Sequence, residues 1–228
     1  YIYNTDGTGE VIVEPSDATA SALFGSSVAM SDTHIVVGAW NAGKAYVYNT
    51  DGTGFWDSIR KLYPQSNDSF AQPLEGKYIF ILGAGGVTPS IIFALKLQGA
   101  NNIILSNRTK KKAEQLKKIF SNLEIVDWGE TPEFNIIINA TSLGLNKEDE
   151  IKLDYAGLGP NKLFYDVIYN PSETNFLKIG RKLGNTTLNG KLMFVYQAYL
   201  AFKIWHGFEP DIDENVMKLL EKWLKLEF

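Results

Sequence analysis

Lys77-Tyr-Ile-Phe-Ile-Leu-Gly-Ala-Gly-Gly86, with Asn102-Ile-Ile-Leu-Ser-Asn-Arg-Thr109 downstream, decides how this chain folds. Each stretch is a short apolar run ending in a turn, as a buried parallel strand does. The first run closes on glycines, which let backbone N–H groups come close to a pyrophosphate, and a helix N-terminus behind them favours the negative charge. The third glycine of the G-x-G-x-x-G pattern is replaced by Thr88. At the end of the second run, an NAD site carries Asp or Glu for the ribose 2′-hydroxyl. Arg108 stands there instead, with Lys110, Lys111 and Lys112 after it. Cations at that place fit a 2′-phosphate, so the expected cofactor is NADP.

Outward from this pair, apolar runs alternate with helical stretches. Strands are expected at 77–82, 102–106, 124–127, 135–140 and 163–167, and helices at 88–98, 110–120, 172–183, 190–206 and 213–226. Gly184 is placed to end one helix, and Val216, Leu219, Leu220 and Trp223 share a face of the last. The alternation predicts an α/β fold, a Rossmann-like doubly wound parallel sheet with C-terminal helices. Phe55, Ile59 and Leu62 fall on one helical face, and 64–76 is loop-like.

The first 48 residues read differently. They hold five acids and a single base, Lys44, and are rich in Val, Ala, Ser, Thr and Gly. Tyr1-Ile-Tyr-Asn-Thr-Asp-Gly-Thr-Gly9 recurs as Tyr46-Val-Tyr-Asn-Thr-Asp-Gly-Thr-Gly54, a period of 45 residues that matches one four-stranded propeller blade. Strand-like pieces lie at 10–14, 25–30, 34–38 and 44–48. The chain therefore divides into a short all-β blade-like segment, 1–48, and an NADP-binding domain with C-terminal helices, 49–228. A single blade buries only one face and has no neighbouring blade here.

Composition bounds the function. A 228-residue chain with 45% apolar and 13% aromatic residues supports a real core. Without cysteine there is no disulfide framework, thiol nucleophile or thiolate metal site. One Asp per Asn-Thr-Asp-Gly loop supplies too few ligands for calcium, and His34 and His206 are far apart, so no metal is expected. A net charge of −4 argues against nucleic acid. No apolar run approaches a membrane span and no leader opens the chain, so a cytoplasmic soluble protein is expected. The Ser and Thr residues form no hydrolase elbow.

Two resemblances add to this. Phe24-Gly25, Val37-Gly38-Ala39 and Val47-Tyr48-Asn49 closing on Asp51-Gly52 resemble an FG-GAP repeat of integrin-like β-propellers. From Asn49 on, the chain resembles shikimate dehydrogenase, carried by Asn49-Thr-Asp-Gly52, Leu82-Gly-Ala-Gly-Gly86, Asn107-Arg-Thr109, Asn139-Ala-Thr-Ser-Leu-Gly144, Asp166-Val-Ile-Tyr-Asn-Pro171, Glu173-Thr174, Asn189-Gly190 and Gln197-Ala198. That resemblance implies reversible hydride transfer between NADPH and the ring carbonyl of 3-dehydroshikimate, in aromatic amino acid biosynthesis. It implies that Gly83, Ala84, Gly85 and Gly86 hold the pyrophosphate, and that Asn107, Arg108, Thr109 and Lys112 hold the 2′-phosphate. Thr141 and Ser142 would lie by the nicotinamide ribose, Gly190 and Met193 by the nicotinamide, and Tyr169 and Gln197 by the substrate. Asp51 would be the carboxylate of a catalytic Lys/Asp pair, in which a cationic lysine stabilises the developing alkoxide and supplies its proton.

The family also has about a hundred residues before Asn-Thr-Asp-Gly, with substrate-carboxylate serines and a lysine in an Asn-Val-Thr-x-Pro-x-Lys segment. Residues 1–48 lack these, and neither Lys44 nor Lys61 has that context. The join falls on the shared string Asn-Thr-Asp-Gly, as in a chimera. Asn49-Thr50-Asp51-Gly52 thus has two readings: a catalytic carboxylate, or a hairpin turn like its twin at 4–7. Three functions stay open. They are a shikimate dehydrogenase lacking competent catalysis, a non-catalytic NADP-binding module, and an interaction protein built on the blade. Activity with shikimate would separate the first two, and further blades upstream would favour the third.

Overall fold

The computed structural model describes residues 24–30, 35–39, 44–63, 72–206 and 208–224. Six parallel strands make the central sheet: β4 (Tyr78–Leu82), β5 (Asn102–Ser106), β6 (Leu123–Val126), β7 (Ile136–Asn139), β8 (Leu163–Asp166) and β9 (Thr186–Leu188), in the spatial order β6-β5-β4-β7-β8-β9. The chain winds outward from β4 through β5 to β6, then returns to the other side of β4 with β7. Order reverses between β4 and β7, and a crevice opens there at the carboxyl ends of the strands.

Both faces of the sheet are covered, which is why its inner strands are apolar throughout rather than alternating. Ile79 and Ile81 of β4, with Ile136 and Ile138 of β7, enter one core alongside Phe55, Ile91, Leu95 and Met193. Phe80, Leu82 and Ile137 point the other way, into a second core with Phe134, Phe164, Phe176 and Leu177. The helices are α1 (Thr50–Ile59), α2 (Thr88–Leu97), α3 (Lys110–Ile119), α4 (Asn175–Lys182), α5 (Lys191–His206) and α6 (Glu214–Leu224). Helix α3 docks on the first core through two buried side chains, Ala113 and Leu116, and its lysines are exposed. Gly184 (φ +76°) comes after α4 and stops it, with its N–H bonded to the Arg181 carbonyl.

The expected strands and helices appear, the strand at 102–106 with both ends as expected and the others with ends shifted by up to three residues; the expected end of the last helix, 226, lies outside the described residues. Strand β9 is additional to them. Ahead of the sheet, β1 (Phe24–Met30), β2 (Ile35–Ala39) and β3 (Lys44–Tyr48) form an antiparallel meander, with a bulge between Phe24 and Ser27. The fourth strand-like piece, 10–14, and the first Asn-Thr-Asp-Gly, at 4–7, lie outside the described residues, as does most of the loop 64–76.

The second Asn-Thr-Asp-Gly is not a hairpin turn. Asn49 is the N-cap of α1: its Oδ1 accepts from the Gly52 N–H at 2.9 Å and its Nδ2 donates to the Ser90 Oγ at 3.0 Å. The residues after the string decide this, because Phe55 and Ile59 form a buried helical stripe. Glycines let α1 pack at backbone distance. A Cβ on Gly52 would sit 2.5 Å from the Ser90 carbonyl oxygen of α2, and one on Gly54 would sit 2.9 Å from the Met193 carbonyl oxygen of α5. Behind them Ser58 Oγ and Tyr165 Oη hydrogen-bond at 2.9 Å, and Phe55 meets the Tyr165 ring edge-on at 5.0 Å. Among the described residues no helix is long and apolar enough to cross a membrane.

Candidate functional site

The crevice at the strand-order reversal is a cleft of about 330 Å³. One wall is the glycine turn after β4. Gly83 has φ +105°, and a Cβ there would lie 2.7 Å from the Ala140 carbonyl oxygen, so glycine is required on both counts. Its N–H donates to the Ser106 carbonyl at 2.8 Å, and its carbonyl accepts from the Thr88 hydroxyl at 3.0 Å. The turn is thereby held between the end of β5 and the start of α2. Gly85 and Gly86 are exposed at the mouth, where a ligand would meet backbone and the N-terminus of α2.

Asn107 links this wall to the next. Its Oδ1 accepts from the Ala84 N–H at 3.0 Å and its Nδ2 donates to the Thr109 carbonyl at 2.8 Å. Both ends of the side chain are thus engaged in setting the two loops, which leaves Arg108 and Lys112 as the cations that line the cleft. Lys110 turns away to pair with Asp127 at 2.7 Å.

The opposite wall, Ala140 to Leu143, is held by a buried polar network. Asp166 at the end of β8 is fully buried. It accepts from the Thr174 hydroxyl at 2.6 Å, the Ile168 N–H at 3.0 Å and Asn139 Nδ2 at 3.0 Å. Asn139 in turn donates to the Leu143 carbonyl and accepts from the Thr141 N–H and hydroxyl. Burial pushes the Asp166 carboxyl up; the Thr174, Ile168 and Asn139 donors oppose that. The network couples the loop bearing Thr141 and Ser142 to the loop bearing Tyr169.

The cleft brings together Gly83, Ala84, Gly85, Asn107, Arg108, Lys112, Thr141 and Ser142. Gly86 and Thr109 flank these in sequence without lining it. A second group gathers where α1 meets α5. Gln197 Nε2 donates to Asp51 Oδ1 at 2.6 Å, joining two expected site residues 146 positions apart. The Tyr169 ring lies against Phe194 of α5, tilted by 31° with ring centroids 4.9 Å apart. Gly190 sits so close to the β8 loop that a Cβ would be 2.0 Å from the Val167 carbonyl oxygen. Met193 is buried in the first core. Trp128 and Leu143 also line the cleft, and sequence reasoning misses both. The glycine motif gives no spacing for a residue after β6, and an aromatic just beyond that edge strand is the one available signal.

The donor set fits a phosphorylated dinucleotide: a glycine turn ahead of a helix, two cations, and no carboxylate at the end of β5. The Shikimate / quinate 5-dehydrogenase family profile matches residues 66–146, and that of the Shikimate 5′-dehydrogenase C-terminal domain matches 192–218. An FG-GAP repeat profile matches 8–50. Shikimate dehydrogenase (NADP(+)) of Pelagibacter ubique is 51% identical over 173 residues, covering 76% of this chain and 62% of that protein. The enzyme of the same name from Roseobacter denitrificans is 32% identical over 196 residues, covering 81% of this chain and 69% of that protein. A solved structure of shikimate 5-dehydrogenase from Thermus thermophilus, in complex with NADP(H) and shikimate, superposes with a TM-score of 0.67 at 26% identity, covering 84% of this chain and 68% of that one. The chain thus spans less than two thirds of the Pelagibacter relative's length.

Proposed function

The chain belongs to the shikimate dehydrogenase family, and from that premise we propose that residues 49–228 form an NADP-binding module for hydride transfer between NADPH and the ring carbonyl of 3-dehydroshikimate. The observation that carries this reading is the pairing of Arg108 and Lys112 with the glycine turn in one cleft. In it, Gly83 to Gly86 and the α2 N-terminus hold the pyrophosphate, and Arg108 and Lys112 the 2′-phosphate. Thr141 and Ser142 border the ribose on the nicotinamide side. When bound, NADPH supplies the hydride.

The chain's own residues orient the partners and manage a proton. Asp51, held by Gln197 at the α1–α5 seam, is the carboxylate that would position a cationic donor toward the substrate oxygen. That donor is the weak point. Lys61 lies in the 3₁₀ turn at 60–62, past the far end of α1, about 15 Å along the helix from Asp51 at about 1.5 Å per residue. Lys44 opens β3 opposite Ala39. On this reading the chain binds the cofactor and, with no lysine in the family's Asn-Val-Thr-x-Pro-x-Lys context, turns substrate over poorly; small molecules are its ligands.

The test is a titration with NADPH and NADH monitored by nicotinamide fluorescence. NADPH binds more tightly. Arg108→Asp removes a charge-assisted contact of about 1.5–3 kcal/mol, so NADPH affinity falls roughly 10- to 150-fold while NADH changes little. Equal affinity for the two in the unmutated chain would sink the assignment.

A further inference from the structure

Resting on that NADP reading, we propose that Trp128 is the platform on which the adenine ring stacks, and so the residue that fixes the far end of the dinucleotide. Trp128 sits in the turn after β6. Its mount is rigid. The Asp127 N–H donates to Glu130 Oε2 at 2.9 Å, the Glu130 N–H donates to the Asp127 carbonyl at 3.1 Å, and Gly129 adopts φ +102° between them. The turn is fastened to the neighbouring elements by Ser106 Oγ, which donates to the Asp127 carbonyl at 3.2 Å, and by the Lys110–Asp127 ion pair.

Trp128 is half-buried. Part of it packs with Val126 and Leu143 against the second core, and the rest lines the cleft beside Arg108 and Lys112. It is the single aromatic among the described residues that line the cleft. A half-buried indole lining a cleft whose charged residues are both cations suits a flat base carrying phosphates nearby. The position agrees with the length of the ligand. Strand β6 is two strands from the glycine turn on β4, about 9–10 Å at the usual strand spacing, and a ribose with its base spans that gap when the 2′-phosphate rests on Arg108 and Lys112.

Isothermal titration of the full chain with NADP and with 2′,5′-ADP, which has the adenine end and no nicotinamide, tests this. Trp128→Ala raises Kd for both ligands by the same factor, about tenfold. Trp128→Phe keeps a ring and stays within about threefold of the unmutated chain. Trp128→Leu keeps the apolar packing, holds the thermal midpoint near that of the Phe variant, and still loses affinity as Ala does. Leu binding as well as Phe would reduce Trp128 to a packing residue and overturn the proposal, as would a loss seen with NADP and not with 2′,5′-ADP. Failure of the unmutated chain to bind NADP would overturn the cofactor reading and this inference with it.

Discussion

Asn49→Ala measures whether 49–52 starts a helix in solution. Two bonds go with the side chain. The cap to the Gly52 N–H is worth about 1 kcal/mol. The bond to Ser90 Oγ is worth about 1 kcal/mol, because Ser90 is 1% exposed and has little water to turn to. The sum is about 2 kcal/mol, or roughly 4–8 °C in Tm for a domain of this size. Asn49→Ser keeps a cap and is too short for Ser90, so it should lose about half. In the double variant with Ser90→Ala the two losses should fall short of additivity by about 0.5–1 kcal/mol. The assay is urea unfolding monitored by circular dichroism. Cofactor affinity should not move, since Asn49 is outside the cleft. An Asn49→Ala variant within about 0.3 kcal/mol of the unmutated protein would refute the capped helix and restore the turn.

Asp166 is held above the ordinary aspartate value of 3.8 by burial, so the folded state binds its proton more tightly than the unfolded one; this contribution is full at pH below the unfolded value and is lost as pH climbs through the folded one. Asp166→Asn removes that titration, and the unmutated protein should therefore lose ground to the variant as pH rises from about 4, in paired urea melts; a difference that is flat or runs the other way would count against it. If no lysine of this chain stands beside Asp51, as proposed, shikimate oxidation at saturating NADP should run near background, since one acid–base group is worth about 10²–10⁴-fold. Turnover within tenfold of an intact relative would mean that a lysine of this chain has taken the role.

The inner strands are legible because Ile79 to Leu82 and Ile136 to Ile138 are buried on both faces and read as unbroken apolar runs. Strand β9 is not, because Thr186-Thr-Leu188 is short, polar and partly exposed at the sheet edge. The cleft is legible as far as its motif reaches: Gly83 comes directly after one strand and Arg108 just beyond the next. Past the motif the sequence is silent. Asn107 reads as a phosphate ligand, and nothing in the motif shows that its amide also staples Ala84 to Thr109. The Asp51–Gln197 bond joins positions 146 apart, and no local pattern records such a pairing. Asn49-Thr-Asp-Gly52 shows the limit most clearly, since the same four residues suit a hairpin or a helix cap and only the packing of Phe55 and Ile59 against the sheet chooses.

The seam between α1 and α5 also has a cost in time. A ribosome adding about 5–20 residues per second finishes α1 roughly 7–30 s before it reaches Gln197. Once α1 clears the ribosome, Phe55 and Ile59 wait about that long for the α5 backbone that Gly54 is shaped to meet. Helix α2 is made much sooner, and its Ser90 can receive Asn49 and Gly52. The nascent chain thus passes through a half-docked stage, with a greasy helix side open to other nascent chains and to chaperones until its last partner is synthesised.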